Sequence, residues 1–167
     1  EFFTYEIIHQ KLIQEDPVKI VLYQGIPKQD KMTTIIDNTI QCGVTEIYPI
    51  ITDHSIVKWD NQKQQKHVRR WQEKAYSAAC QSKRNYVPVV HPITSIDELL
   101  ASEKQGTTIN LVAWEESLIE NKEKKIDFTK SKGVSIFIGP EGGLSKSEVE
   151  KLVSNDFKVI SLGKTTL

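Results

Sequence analysis

Three glycines, one proline and one glutamate fill the segment Gly139–Gly143, a composition typical of a turn that binds a ligand through its backbone. Glycine lets a ligand approach the main chain because no Cβ stands in the way. The apolar run Val134–Ile138 precedes this segment, and Ser145 and Glu148 follow it with the spacing of a capping box at a helix start. This order presents backbone N–H groups at the carboxyl edge of a sheet, where ligands bind in open α/β folds. We therefore predict a cofactor site here, with a plain connecting turn as the alternative.

Two better-known glycine-rich motifs are excluded by the residue types. A dinucleotide fingerprint needs glycine where this segment has Glu141. A P-loop needs glycine five residues before a Gly-Lys-Thr, and the chain has Lys158 at that distance from Gly163. The turn is therefore predicted to hold a compact cofactor other than a nucleoside triphosphate or a dinucleotide.

A second chemical feature is a basic stripe on a long predicted helix, Gln62–Lys83. Apolar residues share one face of this helix, and the opposite face carries Lys63, Lys66, Arg70 and Lys74. The stripe is suited to phosphate groups, although a solvated helix face is the more common reason for such a pattern.

Composition narrows the class of protein. The 167 residues include 22 basic and 22 acidic side chains, with 38% hydrophobic residues, which is typical of a globular domain. Zero net charge gives no general attraction to nucleic acid, so RNA binding would need a local patch. The only cysteines are Cys42 and Cys80 and the histidines are scattered, so we expect no disulfide framework, no metal site and a cytoplasmic protein. No run of residues has the length of a membrane span.

Strands and helices are predicted to alternate along the chain. The predicted strands are Val18–Gln24, Glu46–Ile51, Val87–Val90, Thr107–Trp114, Val134–Ile138 and Phe157–Leu162. Helices are predicted from Asp30 to Gly43, over Gln62–Lys83, and after the capping-box residues Ser95 and Ser145. This alternation predicts an α/β fold with a mostly parallel sheet flanked by helices. The strand ends at Trp114, Ile138 and Leu162 are predicted to converge on one edge.

Four motifs in this order resemble the RsmE family, bacterial methyltransferases that modify N3 of a uridine in 16S ribosomal RNA. The motifs are Pro27–Met32, Arg70-Trp71 with Ala79–Arg84 and Val87-Pro88, Ile138–Ser145, and Leu162–Leu167. The resemblance implies a SPOUT-type α/β fold with a trefoil knot and S-adenosylmethionine (SAM) as the cofactor. It further implies 16S rRNA or the assembled small ribosomal subunit as the partner, a homodimer, and no membrane or metal.

The resemblance also assigns expected site residues. The expected cofactor-binding residues are Gly139, Pro140, Glu141, Gly143, Leu162, Gly163 and Leu167. The expected catalytic residues are Arg84, which would bind or polarise the uridine, and Gln81, which would hydrogen-bond its edge. The expected RNA-binding residues are Lys28, Asp30, Lys31, Arg70 and Arg84. A structural role in capping or ending a helix is the alternative for Arg84, Gln81 and the residues of the 28–31 loop.

Several departures from the family pattern leave other functions open. Gln41 and Cys80 stand where the family usually has acidic residues. Residues 1–16 are interpreted as the remnant or linker of a PUA-like RNA-binding domain, and residues 17–167 as a SPOUT domain without the end of its knot. A ribose 2′-O-methyltransferase of the same fold and a non-catalytic RNA-binding module are the alternative functions. Glu115 is a candidate cofactor contact or an exposed loop residue, and His54, His67 and His91 are predicted to lie at the surface without a role.

Overall fold

The structure, a computed structural model, describes residues 4, 6, 8, 18–55, 57, 59–102, 109–114, 126–129 and 131–162. Its elements in chain order are β1 (Lys19–Gly25), α1 (Lys31–Gln41), β2 (Glu46–Ile51), α2 (Asn61–Gln81), β3 (Val89–Val90), β4 (Thr94–Ser95), α3 (Ile96–Ala101), β5 (Ile109–Ala113), β6 (Gly133–Ile138), α4 (Lys146–Val153) and β7 (Phe157–Ile160). None of the helices described has the length and apolar character needed to cross a lipid bilayer.

The strands form one seven-stranded sheet in the order β3-β2-β1-β6-β5-β7, with the short β4 also paired to β2. Every strand pair in the described sheet is parallel. The prediction of a mostly parallel α/β sheet is confirmed. Because the strands point the same way, the segments that follow β1, β2, β5, β6 and β7 all emerge at one edge, called the carboxyl edge below.

Helices cover both faces of the sheet and bury a separate apolar cluster on each. On one face, α1 and α2 pack Ile36, Trp71 and Ala75 against Leu22 and Ile47 of the strands, and all five side chains are buried. The helical spacing of these apolar residues is the reason that α1 and α2 lie flat on the sheet.

The second face carries α3 and α4. Leu99 of α3 and Leu152 of α4 pack with Tyr23, Ile50 and Phe137 of the strands. The central position of β6, between β1 and β5, explains why Phe137 is fully buried. The glycine turn therefore follows a strand that is held by a paired strand on each side.

Some predicted boundaries differ from those in the structure. The strand predicted over Val87–Val90 is limited to Val89–Val90, because Pro88 has no N–H to donate to a neighbouring strand. Asp30 stands at the N-cap position of α1, but its side chain makes no capping hydrogen bond. Gly43 ends α1 with a φ of 100°, as the sequence predicts. The predicted domain boundary near residue 16 and the end of the predicted knot lie outside the described residues.

Candidate functional site

The segment Gly139–Leu144 forms a tight turn at the carboxyl edge, immediately after β6. A Cβ on Gly139 would lie 2.9 Å from the carbonyl carbon of Gly143, so the turn folds back on itself too closely for a side chain. The N–H of Gly143 donates to the Pro140 carbonyl at 2.8 Å. Gly143 has a φ of 70°, and a Cβ at this position would meet no atom within 4 Å. Gly139 thus closes the turn, and Gly143 presents open main chain on its outer side.

The end of β1 supports this turn from the neighbouring strand. A Cβ on Gly25 would lie 2.6 Å from the Cδ atom of Pro140, so the two strand ends touch through main chain and ring. The side-chain amide of Gln24 is buried and donates to the carbonyls of Gly25 at 3.0 Å and of Gly139 at 3.4 Å. Neither Gln24 nor Gly25 was predicted as a site residue. Gln24 could have been noticed, because it is a polar residue in an otherwise buried strand.

Glu141 links the turn to the loop that follows β1. Its Oε2 atom accepts a hydrogen bond from the Lys28 backbone N–H at 3.0 Å, and its Oε1 atom lies 2.8 Å from the Lys31 Nζ atom. The Lys31 ammonium and the Lys28 N–H together lower the pKa of Glu141 to about 2. A predicted cofactor residue is therefore in direct contact with two of the predicted RNA-binding residues.

The same network continues onto helix α2. The carboxylate of Asp30 accepts a hydrogen bond from the Arg70 guanidinium, and both side chains are exposed. Four of the predicted RNA-binding residues are thereby brought to one side of the turn. These residues are Lys28, Asp30, Lys31 and Arg70.

The start of α4 is closed by the protein's own side chains. Ser145 and Glu148 form the predicted capping box, with the Ser145 N–H donating to Glu148 Oε2 at 2.8 Å. The buried Glu148 carboxylate also accepts from the Asp53 N–H at 2.8 Å, and the Ser145 hydroxyl donates to the Asp53 carboxylate at 2.6 Å. We expected the start of this helix to present backbone N–H groups to a ligand, but the N–H groups of Ser145 and Glu148 already donate to each other's side chains. The main chain that faces outward at this site belongs to the turn.

His54 is a site residue that sequence reasoning missed. Its Nδ1 atom lies 3.2 Å from the Gly143 carbonyl oxygen, and a Cβ on Gly142 would lie 3.1 Å from the His54 Cβ. A carbonyl oxygen only accepts, so Nδ1 carries the proton in this contact and Nε2 is the other ring nitrogen. The imidazole is exposed beside the turn, and no pattern in the sequence connects it with a segment so distant along the chain.

Two further strand ends lie at the same edge. Trp114 follows β5 and its N–H donates to the Ile160 carbonyl of β7 at 3.1 Å. Leu162 follows β7 and is 57% exposed. Because β5 alone separates β6 from β7, the ends of these two strands are about 10 Å apart. The predicted convergence of the ends at Trp114, Ile138 and Leu162 is confirmed, while Gly163, Leu167 and Glu115 lie outside the described residues.

Arg84 and Gln81 lie at the opposite edge of the sheet. Gln81 is the exposed last residue of α2, and the Arg84 guanidinium donates to the carbonyls of Ile40 at 3.0 Å and Val44 at 2.6 Å. Val44 precedes β2, whereas the turn follows β6, so a strand length of about 20 Å separates them.

Arg84 and Gln81 therefore lie about a strand length from the turn of the same chain, and their expected roles toward the uridine stay predictions. Arg84 also hydrogen-bonds the hydroxyl of Tyr86, and its guanidinium carbon lies 4.5 Å from the centre of that ring. These contacts give it a structural role in joining the ends of α1 and α2. Arg84 is likewise remote from the four residues that the network of Glu141 brings together.

Metal-binding side chains do not gather in the described part of the chain. No group of three or more His, Cys, Asp or Glu residues there could hold a metal ion. Both cysteines, Cys42 and Cys80, are exposed free thiols. Among the described residues, the carboxyl edge offers a ligand backbone groups, the Leu162 side chain and the charged side chains beside the turn.

The chain is similar to a known family of proteins. Residues 14–167 match the family described as RNA methyltransferase domain. The chain is 36% identical, over 159 residues, to ribosomal RNA small subunit methyltransferase E of Bacillus subtilis (strain 168); the alignment covers 92% of this chain and 62% of that protein. The protein of that name from Rickettsia conorii is 32% identical over 150 residues, with 89% and 58% covered.

A similar solved structure is the ribosomal RNA small subunit methyltransferase E from Neisseria gonorrhoeae bound to S-adenosyl methionine. It has a TM-score of 0.79 and 33% sequence identity, and the match covers 90% of this chain and 61% of that one. A methyltransferase structure from Legionella pneumophila with bound SAM has a TM-score of 0.81 at 28% identity, with 90% and 60% covered. The chain spans about three fifths of the length of these relatives.

Proposed function

The chain belongs to the family of RNA methyltransferase domains, and from this premise we propose that it carries out the SAM-dependent methylation of N3 of a uridine in 16S ribosomal RNA. The small-subunit methyltransferases with which it shares about a third of its residues support the choice of RNA. The SAM-bound relative from Neisseria gonorrhoeae supports the choice of cofactor.

The observation that carries this proposal is the open outer side of Gly143 at the carboxyl edge. Its main chain is accessible, since a Cβ there would meet no atom within 4 Å, and Leu162 offers exposed apolar surface two strands away. An adenosine needs both backbone hydrogen-bonding groups and an apolar wall, so the described residues fit such a ligand. We propose Gly139, Pro140, Glu141, Gly143 and Leu162 as cofactor-binding residues, together with Gly163 and Leu167.

When bound, SAM supplies a methyl group on a positively charged sulfur, so the protein's contribution is to orient the reactants. Glu141 performs this role indirectly, because its contacts with Lys28 and Lys31 hold the β1 loop against the turn. Lys28, Asp30, Lys31 and Arg70 are proposed RNA contacts on that side. Arg84 and Gln81 are proposed to contact the uridine at the turn of a second copy of the chain, because within one chain they lie at the far edge.

The uridine N3–H must lose its proton when N3 is methylated, so the site needs a proton acceptor. We assign this role to His54. Its Nδ1–H donates to the Gly143 carbonyl, which leaves Nε2 as the basic nitrogen of the neutral ring. The variant His54→Asn keeps an N–H donor near Gly143 but has no basic nitrogen, so it should slow methylation without weakening SAM binding. An unchanged methylation rate would remove His54 from the mechanism.

Membership of the family also suggests the partner, the assembly, the cellular location and the domain organisation. The proposed partner is 16S rRNA, free or in the assembled small subunit, and the proposed assembly is a homodimer in the cytoplasm. Residues 17–167 are the proposed catalytic domain, and residues 1–16 the proposed connection to a PUA-like RNA-binding domain. Light scattering at high protein concentration tests the dimer, and a monomer throughout would contradict it.

Two measurements test the proposed function. Calorimetry with SAM should give a single site, and Gly143→Asn should fold normally, because Asn tolerates positive φ, yet bind SAM more weakly because its side chain enters the open space. Incubation with small ribosomal subunits and methyl-labelled SAM should then yield 3-methyluridine. Ribose-methylated nucleosides would instead indicate a 2′-O-methyltransferase, and a flat SAM titration would indicate a non-catalytic RNA-binding module.

A further inference from the structure

A cavity of about 500 Å³ lies along the first half of α2, outside the turn. We call it the α2 cleft. Its lining residues are Asp60, Gln62, Lys63, Lys66, His67 and Arg70. The lysines and the arginine follow the spacing of one helix face, so their charges point to the same region.

The balance of charge in the α2 cleft is positive. Asp60, the one carboxylate among the described lining residues, caps α2 by accepting a hydrogen bond from the Lys63 N–H at 2.8 Å. Asp30, outside the lining, pairs with Arg70, so the lysines carry the excess positive charge. Neither Lys63 nor Lys66 takes part in any ion pair formed by the described residues. Lys74, farther along the same helix, does pair with Asp37 at 3.2 Å. Two lysine side chains thus line a concave surface without an ion-pair partner among the described residues. This placement differs from that on an ordinary solvated helix face, whose lysines need not line a cleft.

A flat aromatic wall borders the charged residues. The rings of Trp59 and His67 are stacked with their centres 3.8 Å apart and their planes 12° from parallel. Burial lowers the pKa of His67, and the nearby Arg70 and Lys63 lower it further. The neutral imidazole can donate a hydrogen bond to an anion while the surrounding cations supply the charge.

Two ion pairs link the α2 cleft to the turn. Arg70 at its edge hydrogen-bonds Asp30, and the neighbouring Lys31 pairs with Glu141 of the turn at 2.8 Å. A polymer with regularly spaced negative charges could therefore occupy the cleft while one of its units reaches the site at Gly143.

We propose that the α2 cleft binds backbone phosphates of the RNA strand that carries the target nucleotide. This inference rests on the proposed function, and it assigns the position of the RNA relative to the cofactor turn. Lysine ammonium groups act as point charges that suit phosphates and carry little base specificity. The α2 cleft accordingly contributes to RNA affinity and fixes the position of the strand along the protein. The target base is recognised beside the glycine turn.

The test compares two double variants that remove the same charge. Lys63→Gln with Lys66→Gln alters the α2 cleft, and Lys132→Gln with Lys158→Gln alters two exposed lysines outside it. Binding of a labelled single-stranded, uridine-rich RNA is measured over a range of salt concentrations. The cleft variant should bind about tenfold more weakly. Its slope of log K against log salt should fall by about 0.7 for each phosphate that the variant no longer neutralises. The control should match the wild-type protein.

Equal RNA affinity and salt slope in the two double variants would overturn this proposal. Competition by polyglutamate as strong as that by the unlabelled RNA would also overturn it. Calorimetry with SAM should give the same affinity for the cleft variant and the wild type, because the α2 cleft lies outside the cofactor turn. Failure of the wild-type protein to methylate small subunits would instead refute the proposed function. The two failures are distinguishable, since the RNA-binding comparison needs no turnover.

Discussion

The carboxylate of Glu141 lies 2.8 Å from the ammonium of Lys31 and thereby joins the glycine turn to the loop after β1. The Lys28 N–H donates to the second oxygen of the same carboxylate at 3.0 Å. One side chain therefore sets the spacing between a proposed cofactor contact and two proposed RNA contacts. Glu141 is therefore a positioning residue. Its effect on stability and its own pKa can be measured without a methylation assay.

A double-mutant cycle measures the Glu141–Lys31 pair. Glu141→Gln and Lys31→Met should each destabilise the protein slightly, and their coupling energy should be about 0.2–1 kcal/mol because both side chains are partly exposed. Urea denaturation of the four proteins gives this value. The matched control is Lys146–Glu150, a more exposed pair at 3.9 Å, whose coupling should be smaller. A Glu141–Lys31 coupling no larger than the control would contradict the role of Glu141.

The acid titration of Glu141 provides an independent measurement. Its pKa of about 2 lies below the ordinary value of 4.5, because the carboxylate is hydrogen-bonded to Lys31 and Lys28. The stabilisation from this lowered pKa is fully present above pH 4.5 and is lost as the pH falls towards 2. Carboxyl resonances followed by NMR should show Glu141 titrating far below an exposed glutamate. Lys31→Met should raise its pKa, and an unchanged value would contradict the assignment.

Gly25 is expected to tolerate no side chain. In Gly25→Ala the new Cβ would lie 2.6 Å from the Cδ and 2.7 Å from the N of Pro140, and backbone must shift to relieve the clash. We expect a loss of about 1–3 kcal/mol in the free energy of unfolding and weaker SAM binding. Gly142→Ala is the control, because the atoms nearest to its Cβ would belong to the His54 side chain, at 3.1 Å and beyond, and not to backbone. Equal stability of the two variants would mean that the turn adapts freely.

Arg84→Ala tests the structural role of Arg84 at the ends of α1 and α2. The guanidinium donates to carbonyls at the end of α1, so its loss should cost about 1.5–3 kcal/mol in denaturation experiments. SAM affinity, measured by calorimetry, should stay within about twofold because the turn lies a strand length away. Gln81→Ala, at an exposed position on the same side, should change neither quantity. A stable Arg84→Ala protein with poor SAM binding would contradict the structural role and would indicate that Arg84 acts at the cofactor site.

The cap of α4 can be tested in the same manner. Ser145→Ala removes the oxygen that accepts from the Glu148 N–H and the donor to Asp53, and it should destabilise the protein by about 1 kcal/mol. Ser147→Ala is the matched control, since that exposed hydroxyl lies outside the capping box and meets it only at the Ser145 hydroxyl, 3.0 Å away. Thermal melts of both variants give the comparison. Similar melting temperatures would show that the box contributes little.

Features that depend on local periodicity were readable in the sequence. The alternation of strands and helices, the capping boxes at Ser95 and Ser145 and the stop at Gly43 all involve residues within a few positions of each other. Hydrophobic spacing and backbone preference act over this range, so the pattern alone predicted the parallel sheet and the turn at its edge. The motifs that resemble the RsmE family likewise pointed to the family that the comparison with known proteins identified.

Contacts between distant segments were decided only by the tertiary structure. Glu141 meets Lys28 across 113 positions of the chain, and His54 meets Gly143 across 89. The direction of α2 and the order of the strands put Arg84 at the edge away from the turn, although its motif suggested a place in the site. Such contacts arise from the packing of whole elements on the sheet, and neither residue type nor spacing along the chain encodes that packing locally.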